Sequence, residues 1–153
     1  MPALHFPAVA ANAPCPLSKE RSVSSSTVKD EQVVGDGPVY PVAVYFAGKG
    51  PTLELRPEDK QADGTYNMKV RWIGVGYAGP VLIRAARLDG AGTASATFSY
   101  FGQRADGGYT AVLPEKDTDM PATTTVSGPG CFAYQVDGTN FSNVIVFRAV
   151  TVS

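Results

Sequence analysis

The sequence is poor in charged residues and has no long apolar run. Charged side chains make up 18% of its 153 residues, and the formal net charge is −1. The usual charged share is about 25%. A chain with this balance lacks the basic patch expected of a protein that binds nucleic acid or an anionic membrane surface. No apolar run approaches the ~20 residues of a membrane-spanning helix. We therefore predict neither a nucleic-acid partner nor a transmembrane segment.

Residues that usually carry catalysis or bind metals are also scarce. His5 is the single histidine, there are two cysteines, and no Gly-x-Ser-x-Gly motif occurs. This set offers too few soft ligands for a zinc site. A triad would need His5 to fold back onto the domain, whereas its proline-rich surroundings favour a solvated position. We predict no catalytic residue, no metal and no cofactor, although a distant pair of carboxylates in a small glycosidase would leave no motif.

Glycine and proline are abundant instead, with 16 and 12 residues, which argues against a helical bundle. Apolar and polar residues alternate from Tyr66 to Trp72, as in a strand with one buried face. Asp-Gly pairs, which favour hairpin turns, separate such segments at 36–37, 63–64, 89–90, 106–107 and 137–138. The pattern predicts an all-β fold, an antiparallel β-sandwich of about seven to nine strands, Ig-like or jelly-roll-like, with an open barrel as the alternative.

The chain divides into two regions by composition. Residues 1–38 are rich in proline and serine, which predicts an extended N-terminal arm and linker. Residues 39–153 carry the strand pattern and form the predicted sandwich domain. Cys15 lies in the arm and Cys131 near the end of the domain. An even number of cysteines fits one disulfide, worth about 4–5 kcal/mol for a loop of more than 100 residues; the alternative is two free thiols.

The first 14 residues do not read as an intact signal peptide. They lack a basic start, and Pro7 interrupts their apolar stretch. Residues 11–13, Ala-Asn-Ala, look like a small-residue cleavage site. We therefore expect an exported protein whose leader is absent from this chain.

Three segments carry a family resemblance. They are Cys15-Pro16, the segment 79–90 that ends in Arg-Leu-Asp-Gly, and the segment 128–138 that begins Gly-Pro-Gly-Cys-Phe. Over roughly residues 15–150 the chain resembles a group of bacterial secreted proteins and lipoproteins with a small all-β domain. The resemblance implies export to the extracellular space or cell envelope and a Cys15–Cys131 pairing, and it implies no activity. Ala86 departs from the group, in which a basic residue is common there, and so does the long arm.

Aromatic residues offer one candidate ligand site. Tyr77, Tyr100 and Tyr109 lie near turns or on strands, where exposed rings could stack on sugars. The alternative is that they fill the core and its edges. Cationic residues on the strands could likewise share one face and bind an anionic polymer, or form an ordinary solvated surface: Lys69, Arg71, Arg84 and Arg87.

Two loop features complete the candidate sites. Glu115, Asp117 and Asp119 alternate along a loop, as carboxylates that bind Ca²⁺ sometimes do, although the full EF-hand pattern is missing and a solvated loop explains them as well. Asn140 begins the sequon Asn-Phe-Ser beside a predicted turn, so it is a candidate glycosylation site in a host that glycosylates exported proteins.

These observations favour a secreted or cell-envelope module that is not an enzyme and acts in binding or structural support. One alternative is a subunit of an extracellular filament, in which the arm adds a strand to the sheet of a second copy. Another is a carbohydrate-binding module whose partner is a surface glycan. A small hydrolase is the least favoured interpretation.

Overall fold

A computed structural model describes residues 2–48 and 50–153. Met1, the first residue of the predicted arm, lies outside the described residues. The described part contains fourteen strands and two short 3-10 turns, Ala43–Tyr45 and Pro57–Asp59. The strands are β1 (Glu20–Val23), β2 (Glu31–Val34), β3 (Val39–Pro41), β4 (Thr52–Leu55), β5 (Tyr66–Lys69), β6 (Trp72–Val75), β7 (Gly79–Arg87), β8 (Ala94–Phe98), β9 (Gln103–Ala105), β10 (Gly108–Leu113), β11 (Asp117–Met120), β12 (Ala122–Val126), β13 (Gly130–Asp137) and β14 (Ser142–Thr151).

The first layer is a six-stranded sheet in the order β4-β14-β13-β7-β10-β9. Its neighbours are antiparallel except β14 and β4, which run parallel. The strand β13 lies at its centre, and every residue from Cys131 to Asp137 is buried. Burial of successive residues means that both faces of this strand are covered, because side chains alternate across a strand.

The second layer consists of two three-stranded sheets, β3-β6-β11 and β5-β12-β8. Lys69 pairs with Thr123, and Trp72, three residues later, pairs with Met120, three residues earlier, so the antiparallel register continues from one sheet into the other. Pro121 lies at the junction and has no backbone N–H to donate, which interrupts the ladder there. The two small sheets are therefore two halves of one bent layer.

The main core fills the space between these layers. Trp72 and Tyr134 meet edge to face with ring centroids 5.0 Å apart, and Tyr134 stacks on Phe147 at 4.6 Å. All three side chains are fully buried. Each such side chain contributes on the order of 2–3 kcal/mol by its removal from water. The predicted all-β sandwich is confirmed.

The strands are more numerous and shorter than the sequence indicated. The alternating segment from Tyr66 to Trp72 is divided between β5 and β6, because the chain passes from one small sheet to the other between them. The threonine-rich β12 and the acidic β11 contain few apolar residues, so the apolar pattern did not reveal them.

The Asp-Gly pairs do not all close hairpins. Asp106 and Gly107 form the two-residue turn between β9 and β10, and both have positive φ, +52° and +76°, as a type I′ turn requires. Asp137 ends β13, and the loop of residues 138–141 leads into its partner β14. Of the other three pairs, 36–37 and 63–64 lie between residues joined only by isolated bridges, Val33 to Val42 and Lys60 to Tyr66. The pair 89–90 connects β7 to β8, which do not pair with each other.

The region predicted as arm and linker contains regular structure in its second half. The strands β1 and β2 pair as a hairpin between Glu20 and Val34. The serine-rich turn of this hairpin is fixed because the hydroxyls of Ser25 and Thr27 donate to the Asp117 carboxylate at 2.6 and 2.5 Å. Residues 2–18 have no regular secondary structure. None of the described helical segments is long and apolar enough to cross a membrane.

Candidate functional site

The N-terminal arm, residues 2–18, lies on the outer face of the six-stranded sheet. The disulfide between Cys15 and Cys131 joins it to the central strand β13, so the predicted disulfide is confirmed. A small apolar cluster outside the main core surrounds this bond, with Phe6 and Val9 of the arm packed against Ala133 and Val146 of the sheet. The Ser18 N–H donates to the Val146 carbonyl oxygen at 3.0 Å. The arm thus covers the second face of the central strands.

Beneath the start of the arm lies a buried ion pair between β7 and β13. The Arg84 Nη2 donates to the Asp137 Oδ2 at 2.6 Å, and the two side chains are 6% and 3% exposed. Gln135, which is opposite Arg84 in the register, donates from its Nε2 to both Asp137 oxygens at 3.2 Å. These residues occupy alternate positions that point away from the main core. Buried charges of this kind need partners for every polar atom.

Main-chain groups of the arm supply several of those partners. The Pro2 carbonyl accepts from Arg84 Nη2 at 2.8 Å, and the Ala3 carbonyl accepts from Gln135 Nε2 at 3.0 Å. The His5 backbone N–H donates to Gln135 Oε1 at 2.8 Å. Within the described residues the Arg84 Nε has no partner. The arm therefore completes a polar network that would otherwise face solvent.

Ser142 links this network to the His5 side chain. The Ser142 hydroxyl donates to the Asp137 Oδ1 at 2.5 Å, and the His5 Nε2 lies 2.6 Å from the same hydroxyl oxygen. Since the only proton of the hydroxyl goes to the carboxylate, the His5 Nε2 must carry a hydrogen and donate it to Ser142. His5 is exposed, as the sequence indicated, but its ring has a fixed partner.

The order of these groups differs from that of a hydrolytic triad. In a triad the serine gives its proton to the imidazole, and the carboxylate holds the other ring nitrogen. Here Ser142 lies between His5 and Asp137, and its hydroxyl donates a hydrogen bond to the carboxylate. The arrangement anchors the arm to the sheet and lacks the order of groups found in a triad.

The electrostatics of Asp137 agree with an anchoring role. Burial alone would raise the pKa of this carboxyl, but hydrogen bonds from Ser142, Arg84 and Gln135 outweigh burial and hold the pKa below its ordinary value. Asp137 is therefore an anion at neutral pH. Its negative charge balances the positive charge of Arg84.

The lowered pKa of Asp137 predicts acid-sensitive stability. A carboxyl with a lowered folded-state pKa stabilises the fold above its unfolded pKa, which is about 3.9, and this contribution is lost as the pH falls through the folded pKa. We expect the free energy of unfolding, measured with urea, to fall below about pH 4. Carbon-13 titration of the carboxyl should show a low Asp137 pKa that rises in Ser142→Ala.

The Thr65→Ala variant is the matched control for this titration. Thr65 donates to the exposed Asp63 and lowers its pKa, so its removal should move Asp63 and leave Asp137 unchanged. An Asp137 pKa at or above the ordinary value, insensitive to Ser142→Ala, would contradict the assigned hydrogen bonds.

The three predicted stacking tyrosines do not form a platform. Tyr77 is 7% exposed and meets Phe141 edge to face at 5.0 Å. Tyr109 is partly buried, and its hydroxyl donates to the Phe98 carbonyl at 3.2 Å. Tyr100 is the exposed member, at 82%. The first two rings belong to the core, which was the alternative interpretation, because their strand and turn positions point inward.

The three predicted calcium ligands are not brought together either. Asp117 accepts hydrogen bonds from Ser25 and Thr27, which together with the Gly76 N–H lower its pKa. Asp119 accepts from Arg71 Nε at 2.7 Å. Among residues 2–48 and 50–153, no group of three His, Cys, Asp or Glu residues is placed to hold a metal ion. Glu115 precedes β11 and is exposed.

The remaining candidates lie apart from one another. Asn140 is exposed in the loop between β13 and β14, and its glycosylation stays a prediction.

The four predicted cations, Lys69, Arg71, Arg84 and Arg87, do not share a basic face. Arg71 pairs with Glu31 and Asp119, and Arg87 pairs with Asp89 at 2.9 Å.

Sequence reasoning missed the network under the arm. The sequence places Arg84 among the candidate surface cations and Asp137 in an Asp-Gly turn. A usable signal was present, because Cys131, Gln135 and Asp137 share one parity along a single strand. If Cys131 binds the arm, the arm must cover the face on which these polar residues lie.

Comparison of the chain with protein-family models, with curated proteins and with solved structures finds no match. The resemblance to bacterial secreted proteins therefore stays a prediction. The function is inferred from the residues of this chain.

Proposed function

We propose that this chain is an exported β-sandwich module of the extracellular space or cell envelope that acts in binding or structural support, without turnover. The observation that carries the proposal is the Cys15–Cys131 disulfide, which closes the arm onto the sheet. Disulfides persist in oxidising compartments and are rare in the cytosol. The resemblance of the segments around Cys15 and Cys131 to bacterial secreted proteins supports the same location.

A role without turnover is supported by the use made of the reactive groups. Ser142, His5 and Asp137 are the residues closest to a catalytic constellation, and their hydrogen bonds hold the arm in place. The Asp137 carboxylate faces Arg84 and is not available as a general base. The filament alternative stays a prediction, because in this structure Phe6 and Val9 of the arm pack on the sheet of their own chain.

An activity panel tests the proposal. The oxidised protein is incubated with glycoside, ester, peptide and phosphodiester substrates, beside the Ser142→Ala, His5→Ala and Ser26→Ala variants. Ser26 is exposed and lies outside the network, so it serves as the matched control. We expect no turnover that separates the wild type from any variant. Turnover that is lost in Ser142→Ala or His5→Ala and kept in Ser26→Ala would refute the proposal.

A further inference from the structure

A cleft opens at the side of the sandwich, between the edge strand β4, the strand β5 and the first 3-10 turn. We call it the β4 cleft. Its volume is about 230 Å³. Its wall includes Val44, Tyr45, Phe46, Glu54, Arg56 and Met68.

One side of the β4 cleft is apolar and firmly held. Tyr45 and Phe46 are half-buried and pack against the main core. The Phe46 ring is tilted by 59° against Phe147, with centroids 5.9 Å apart. Met68 also packs on the core from β5, and Val44 at the rim is 79% exposed. Aromatic and thioether groups offer a surface suited to the C–H face of a small ring.

The other side of the β4 cleft carries paired charges. The Arg56 Nη2 donates to the Glu54 Oε1 at 3.2 Å, and the two side chains are 48% and 39% exposed. The second Glu54 oxygen and the other guanidinium N–H groups have no side-chain partner among the described residues. The pair therefore presents acceptors and donors side by side, with no net charge.

These features together select a ligand class. A sugar ring combines an apolar C–H face with hydroxyl groups that both donate and accept hydrogen bonds. The β4 cleft is smaller than the ~300–1,000 Å³ of sites for drug-sized ligands, so it suits one small ring of a longer chain. We propose that the β4 cleft binds a neutral sugar residue of a glycan, with Glu54 and Arg56 bonding its hydroxyls. This inference rests on the proposed function and names the ligand of the module.

Amide NMR titration locates the binding. Xylohexaose, cellohexaose, maltohexaose and chitohexaose are the neutral probes, and an oligogalacturonate is the acidic one. We expect at least one neutral probe to shift the amides of residues 44–47 and 54–56. Glu54→Ala and Arg56→Ala should each weaken its binding by about tenfold, because each removes a charged hydrogen-bond partner.

The matched control is Glu58→Ala. Glu58 is an exposed carboxylate on the neighbouring 3-10 turn, outside the cleft wall, and its removal should leave the affinity unchanged. Because Glu54 and Arg56 are partly exposed, both variants should keep the amide spectrum of the folded protein. Absence of shifts at the cleft with every neutral probe, or binding of the acidic probe alone, would overturn the site.

Failure of the proposed function gives a different result. Mass spectrometry of the same samples detects any shortened oligosaccharide. Binding at the cleft with intact probes supports both proposals. Binding followed by cleavage supports the site and refutes a module without turnover.

Discussion

Removing the Cys15–Cys131 disulfide should lower the free energy of unfolding by about 4–5 kcal/mol, through reduction or through a Cys15→Ser/Cys131→Ser variant. The bond joins residues 116 positions apart. Without it the unfolded chain regains a large loop entropy, which favours unfolding. For a chain of this length the loss corresponds to a melting temperature lower by about 10–20 °C. Thermal and urea unfolding with and without a phosphine reductant measure the change.

The same change should release the arm first. Residues 2–18 form no strand, and their described contacts to the sheet are a small apolar cluster and a few hydrogen bonds. Segments with few buried contacts open at low free energy. Hydrogen exchange should therefore accelerate in the arm before it does in β13 or β14. The double serine variant controls for other effects of the reductant, since it has no disulfide and its stability should not change when the reductant is added. Equal stability of the wild type with and without reductant would contradict this account.

Replacing Asp137 with alanine should destabilise the fold by about 3–5 kcal/mol. The substitution leaves the Arg84 guanidinium, 6% exposed, without its carboxylate partner. It also removes the acceptor for Ser142, which is the contact that leads to His5. A buried charge without a partner is much less favourable than the same charge in water. Urea unfolding at pH 7 measures the loss.

Two variants separate an unpaired charge from a general loss of packing. Arg84→Met/Asp137→Leu removes both charges and should lose much less stability than Asp137→Ala, because apolar replacement of a whole buried pair is often close to neutral. Glu54→Ala breaks the exposed Glu54–Arg56 pair and should cost at most about 1 kcal/mol. If Asp137→Ala loses no more than Glu54→Ala, the buried ion pair does not stabilise the arm as described.

Strands were predictable where apolar and β-branched residues are concentrated between turn signals. Residues 80–87, 109–113 and 143–151 are of this kind and lie in β7, β10 and β14. The strands β11 and β12 were not predictable in this way, since their stability comes from pairing with β6 and β5. Thr124 of β12 is fully buried and its hydroxyl bonds that of Tyr134 at 2.7 Å, whereas Thr123 and Thr125 are partly buried.

The site was harder to predict than the fold, for a physical reason. Arg84 and Asp137 look like surface charges because they occupy the polar positions of their strands. They become buried because the arm crosses that face, and the arm has no periodic pattern that would show where it lies. For the tyrosines, the sequence suggested exposed side chains where the structure has buried ones. Tyr77 and Tyr109 resemble surface aromatics in a turn-rich sequence, but both pack inward.

A thiol count in fractionated cells tests the central claim most directly. Cells that make the protein naturally are lysed in an alkylating agent, and the mass of the protein is measured in each fraction before and after reduction. We expect the protein in the extracellular or envelope fraction, with no alkylated cysteine before reduction and two after reduction followed by a second alkylation. A cytosolic protein with both cysteines alkylated before reduction would contradict an exported module closed by its disulfide.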